Sequence, residues 1–196
     1  MPAAGRRRRA ARSADGAAHA DVPGDPEQPL GDPESVARTI CLRLLDHRAR
    51  SRAELETALA RKGVPGDAAA RVLDRFTEVG LIDDAALAQS MAGAAHRERG
   101  LARRAVAVKL RQRGLTGDVV DDALTTIDAD SERTRAFELV RRRRAALTGL
   151  PVQVAQRRLV GLLGRKGYPP GLAYDVVRTV LADDAGADDM AGYDHT

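Results

Sequence analysis

From Val36 onward the apolar positions recur at three- and four-residue intervals, the spacing of one buried helix face. Val36, Ile40, Cys41, Leu44 and Leu45 form the first stripe; Leu55, Ala58 and Leu59 form the second; Ala69, Val72, Leu73 and Phe76 form the third. The same triplet returns twice. Leu87 and Met91 lead to Ala105, Val108 and Leu110, then to Val119, Val120, Ala123, Leu124 and Ile127. Phe137, Val140 and Leu147 lead to Leu159, Leu162 and Leu163, then to Leu172, Val176, Val177 and Val180. No alternating strand pattern interrupts them. Polar punctuation fits the same elements. Ser51 with Glu54 makes a capping box. Asp67 and Asp118 are placed to cap third helices, the Asp83-Asp84 pair to open the fourth. Pro151 suits a first helical turn, where its missing N–H loses no bond.

One phrase binds the triplets together: a leucine, three residues ending in a base, a glycine, then an apolar residue. It reads Leu59 to Gly63-Val64, Leu110 to Gly114-Leu115, and Leu163 to Gly167-Tyr168, with glycines 51 and 53 residues apart. A period of this size marks stacked repeats. The predicted fold is therefore all-α, three tandem three-helix repeats in an elongated, curved array. The repeats run over residues 34–82, 83–129 and 130–182. Residues 1–33, rich in Ala, Gly, Pro and Asp, and the acidic stretch 183–196 are expected to be disordered tails. Small repeats bury little surface alone, so each should lean on its neighbour.

Composition narrows the function. Tryptophan is absent, with two Phe and three Tyr, which disfavours a β-sandwich. No apolar run approaches the length of a membrane span, and Arg6 to Arg9 lack the apolar stretch of a secretory signal. The single Cys41 cannot form an internal disulfide, which suits a reduced cytoplasmic setting. The net charge of +4 is unevenly spread. Residues 1–33 are neutral, residues 183–196 carry five Asp and no base, so residues 34–182 carry +9. A basic body suggests an anionic partner such as nucleic acid or a nucleoprotein. A coding bias that enriches Arg and Ala throughout would give the same balance.

Catalytic chemistry is hard to find. His19, His47, His96 and His195 are scattered, and no metal-binding spacing of Cys or His occurs. The stretch from Gly161 to Gly167 lacks phosphate-loop spacing and reads as a helix end. Cys41 lies on an apolar stripe, as a core residue would. The expectation is a non-enzyme without cofactor or metal. Basic clusters are the stronger lead: Arg103, Arg104, Lys109, Arg111 and Arg113 in the second repeat; Arg141, Arg142, Arg143 and Arg144 in the third, with Arg157 and Arg158. Four consecutive helical arginines cover nearly the whole circumference, so one should lie along the apolar side while others meet phosphates or acidic groups.

These residues also carry a resemblance. Val36-Ala37-Arg38, Leu42-Arg43-Leu44-Leu45, His47-Arg48-Ala49-Arg50-Ser51 and Glu54-Leu55 resemble the opening of the RecX family of bacterial regulatory proteins. Gly80-Leu81-Ile82-Asp83-Asp84, Leu87-Ala88, Arg99-Gly100 and the phrase from Leu110 to Gly114 resemble its continuation. The similarity covers about residues 35–182. Leu87, and Ser35 or Val36, stand where many relatives carry aromatics. The resemblance implies a monomeric, cytoplasmic modulator that binds the RecA filament on DNA along its groove and restrains ATP hydrolysis and strand exchange, with a role in DNA repair and the SOS response. From the residues alone, a helical-repeat protein that binds DNA directly remains the alternative.

Overall fold

The computed structural model describes residues 31–191, with side chains through Asp183. The described part is all-helical. Helices α1 (Pro33–His47), α2 (Arg52–Arg61) and α3 (Gly66–Glu78) are followed by α4 (Asp84–Arg97), α5 (Arg103–Gln112) and α6 (Gly117–Leu124). Then come α7 (Ala129–Arg144), a short 3-10 turn (Ala145–Leu147), α8 (Val152–Arg165) and α9 (Pro170–Ala191). The tail expected over residues 1–33 falls outside the described residues through Leu30. From there Asp32 caps α1, its carboxylate accepting the amides of Glu34 and Ser35. At the other end, the repeat boundary expected at Ala182 does not stop the backbone. Helix α9 continues to Ala191; no proline interrupts the stretch, although Gly186 and four Asp give it low helix propensity. Residues 192–196 lie outside the described residues.

Three buried clusters follow the chain. The first gathers Ala37, Cys41, Leu55, Leu59, Leu73 and Phe76 among others; the second is built on Ala88, Ala92, Val106, Leu110, Val120 and Ile127; the third on Val140, Leu159, Leu163, Tyr168, Val176 and Val177. Ala102 precedes α5 yet packs in the third cluster, so the second repeat lends a residue to its neighbour. The stripe predicted on α5 is shifted. Val106, Ala107 and Leu110 are buried while Val108 is 47% exposed, because Ala102, Val106 and Leu110 fall at four-residue spacing on one face.

The thrice-used phrase is a helix stop. Each glycine has positive φ: 74° at Gly63, 77° at Gly114 and 88° at Gly167. At each, the glycine amide donates three residues back, and the next amide reaches the carbonyl of the phrase's leucine. These are Val64 to Leu59 (3.2 Å), Leu115 to Leu110 (3.2 Å) and Tyr168 to Leu163 (3.1 Å). This is the Schellman arrangement, and its apolar contact explains the leucine and the residue after glycine. Both members of every pair are buried in the same cluster.

The capping box of α2 is present. Ser51 Oγ accepts the Glu54 amide (3.2 Å) and Glu54 accepts the Ser51 amide (3.1 Å). Asp83 caps α4 by accepting the Ala86 amide at 2.8 Å. Two other expected caps are corrected. Helix α3 begins behind Pro65 and α6 behind Thr116, neither with a side-chain cap. Asp67 and Asp118 sit inside the first turn, where negative charge still suits the macrodipole.

Candidate protein and nucleic-acid interface

The repeats meet through a construction used twice. At the first joint the start of α2 rests on the end of α5. Ser51 Oγ donates to the Arg113 carbonyl (2.5 Å), and the Arg52 amide, unpaired within its own helix, donates to Asp84 Oδ1 (2.9 Å). At the second joint the start of α5 rests on the end of α8. The Ala102 amide donates to the Lys166 carbonyl (3.0 Å), and the Arg103 amide donates to Glu132 Oε1 (2.7 Å). First-turn amides have no intrahelical partner. In both cases an acid in the opening turn of the following repeat supplies one.

The base before Gly114 and before Gly167 completes its joint. Arg113 reaches back to the Ala49 carbonyl (3.3 Å) and pairs with Glu54 at 2.6 Å. Lys166, at the same place in the third repeat, donates its ammonium to the Arg99 carbonyl. Tyr168 OH donates to the Gly100 carbonyl (3.3 Å), and burial pushes its phenol up to about 12, with the Glu132 charge adding to the rise. Burial also raises Glu54, but the Arg113, Ser51 amide and Arg48 hydrogen bonds outweigh it and hold the carboxyl below its ordinary value.

Charge is sorted by helix. In α3 the bases are neutralised: Arg71 pairs with Glu34 and Asp67, Arg75 with Glu78. Helix α6 carries Asp118, Asp121 and Asp122 and no base. In α9 the one base, Arg178, pairs with Asp175. Among the described residues, bases without an ion partner include Arg38 and Arg43 on α1, Arg61 on α2, Arg104 and Arg111 on α5, Arg142 and Arg143 on α7, and Arg157 and Arg158 on α8.

The sequence-predicted residues divide accordingly. Arg103 is exposed, but its guanidinium donates to the carbonyls of Leu124 and Ile127, and Arg113 is spent on the first joint. Arg104, Arg111, Arg157 and Arg158 are exposed, while Lys109 is half-buried. On α7, Arg141 lies over the Phe137 ring at 5.6 Å, opposite Arg133 at 5.4 Å. Arg142 and Arg143 face solvent and Arg144 is half-buried, so the run does lay cations along an apolar surface.

Each joint encloses a cleft. The first, about 460 Å³, is lined by Arg50, Arg61, Arg111 and Arg113 with Glu54. The second, about 560 Å³, is lined by Arg99, Arg142, Arg143 and Lys166 with Glu98. Arg50 and Arg61 carry no sequence signal as cleft residues, because only the joint brings them to the end of α5. The base fixed before each glycine is the signal the sequence does hold. Among the described residues no His, Cys, Asp and Glu group could hold a metal, and no helix is long and apolar enough to cross a membrane. Cys41 is buried, and burial pushes its thiol up.

Comparison with known proteins gives a consistent answer. The RecX first three-helix domain matches residues 37–76 and the RecX second three-helix domain matches residues 83–124. "Regulatory protein RecX" of Mycolicibacterium smegmatis is 49% identical over 170 residues, covering 84% of this chain and 90% of that protein. The protein of that name from Thermobifida fusca is 50% identical over 145 residues, 74% of this chain and 78% of its own length. That from Streptomyces coelicolor is 43% identical over 170 residues, 87% of this chain and 90% of its own length. The crystal structure of RecX from Lactobacillus salivarius superposes with a TM-score of 0.67 at 19% identity, covering 79% of this chain and 97% of that one, a likeness of fold.

Proposed function

This chain belongs to the RecX family, and we propose that it regulates recombination by binding the RecA filament on DNA and restraining ATP hydrolysis and strand exchange. It would act in the cytoplasm as a monomer. One observation carries the reading beyond membership: among the described residues Arg104 and Arg111 on α5, Arg142 and Arg143 on α7 and Arg157 and Arg158 on α8 are exposed without an ion partner, as are Arg38 and Arg43 on α1, while the bases of the third helices are paired or, on α6, absent. Such a surface suits a nucleoprotein, whose phosphates and acidic side chains both attract it. It also weighs against duplex reading by a third helix set in the major groove, since that helix would bring negative or neutral charge to phosphates.

The test is RecA-dependent ATP hydrolysis and strand exchange with added protein at low salt. Restraint at near-stoichiometric protein supports the proposal; no effect at excess protein overturns it. Replacing Arg141, Arg142, Arg143 and Arg144 by alanine is expected to weaken filament binding with helicity retained. Unchanged binding removes that run from the interface.

A further inference from the structure

We infer that the two joint clefts are seats for nucleic-acid phosphates, gripped by Arg61 and Arg111 at the first joint and by Arg142 and Arg143 at the second. The chain would then hold a phosphodiester backbone at two points one repeat apart. The filament reading names a nucleoprotein partner; this inference names where its DNA component sits, and it stands or falls without RecA.

The two clefts are built alike from unlike sequence. Each is lined by four bases and one acid, a net +3. In the first, Glu54 is already taken by Arg48 and Arg113, which leaves Arg61 and Arg111 exposed with no ion partner among the described residues. In the second, Lys166 is taken by the Arg99 carbonyl, which leaves the side chains of Arg99, Arg142 and Arg143 facing a single acid, Glu98. Between the bases the first cleft is lined by Ala53 and Ala58 with Thr57 and Gln112, and the second by the apolar Leu139, Ala146 and Leu162. Concave charge over low-dielectric walls focuses the field. Guanidinium groups match phosphate oxygens two at a time.

The same walls favour nucleic acid over an acidic protein surface. Protein interfaces are anchored by large apolar side chains, and the exposed ones here, Leu42, Val79, Leu81, Val108, Val152 and Tyr174, line neither cleft. No aromatic residue lines either one, so stacked bases have no platform. The contact should be to backbone and indifferent to sequence. Each cleft also draws its bases from two adjacent repeats, so it exists only while its joint is closed.

The experiment titrates fluorescein-labelled duplex and single-stranded oligonucleotides of mixed sequence with the full chain, without RecA, across a salt series. Arg61→Gln with Arg111→Gln tests the first cleft, Arg142→Gln with Arg143→Gln the second. Arg38→Gln with Arg43→Gln on α1 removes the same charge elsewhere, and circular dichroism checks folding. Each cleft pair is expected to flatten the plot of log affinity against log salt by roughly 0.7–0.9 for every phosphate that is no longer neutralised, with the α1 pair leaving the slope unchanged. This pattern supports the inference even where RecA activity is unaffected by the protein. Equal flattening by all three pairs, or unchanged slopes for the cleft pairs, overturns it. So does intact DNA binding in cleft variants that no longer restrain RecA, which would assign the clefts to acidic groups of the recombinase.

Discussion

Gly114 meets Ala53 so closely that a methyl group on the glycine would lie 2.4 Å from the alanine Cβ. The contact joins the end of α5 to the first turn of α2, across the first joint. Its counterpart at the second joint is Gly167, where an added Cβ would stand 2.7 Å from that of Ala105. Gly63, with no repeat before it, has open space around the same position. One local phrase thus has two duties: to end a helix, and, in the second and third copies, to let the neighbouring repeat approach.

That difference separates two substitutions of identical chemistry. Gly63→Ala forces a left-handed alanine and should cost about 1–2 kcal/mol. Gly114→Ala carries that cost and adds a clash with Ala53, about a further 1–3 kcal/mol. Urea unfolding of the two variants measures the gap. Equal destabilisation would mean that the close approach at Gly114 contributes nothing to stability.

The joints should fail at opposite ends of the pH scale. Glu54 is held below its ordinary value by Arg113, the Ser51 amide and Arg48 against the opposing pull of burial. A depressed carboxyl gives stability that is present above its unfolded pKa and lost as pH falls through the folded one. Acid should therefore loosen the first joint, and Glu54→Gln should flatten stability against pH below about 4.3. Tyr168 behaves in reverse. Its phenol is raised to about 12, so its contribution is complete below about 10 and lost as pH rises through the folded value. Tyr168→Phe should remove that alkaline loss. Thermal melts across pH decide both, and unchanged profiles would contradict the assignments.

Much of this is legible along the chain, for a local reason. The Schellman stop depends on a few consecutive residues, so Leu59, Gly63 and Val64 announce it without reference to anything distant. The stripes of α3 and α8 are likewise short-range patterns. What escapes the sequence is whatever the joints decide. Arg113 and Arg103 read as free bases because Glu54, and the carbonyls of Leu124 and Ile127, lie 59, 21 and 24 residues away. Asp84 reads as a partner for its own helix, yet its carboxylate serves the Arg52 amide, 32 residues back. Asp67 and Asp118 both miss the cap position by two residues, since Gly66 and Gly117 enter the helix ahead of them.

Asp84 and Glu132 are then equivalent latches, each satisfying the first amide of the preceding repeat's second helix. Removing either acceptor should leave a helix-end amide without its protein partner at the joint and cost about 0.5–2 kcal/mol, as loss of a helix cap does. Replacement by asparagine or glutamine keeps an acceptor oxygen and should recover much of the stability. The sharper readout is amide hydrogen exchange. Glu132→Ala should accelerate exchange at Arg103 while leaving Arg52 protected, and Asp84→Ala should do the opposite. Acceleration at both amides in either variant would point to general loosening and reject two independent latches. A residue-specific response would instead locate the freedom to bend at each joint in one carboxylate, so that Glu132→Gln would test how stiff the second joint must be for filament binding.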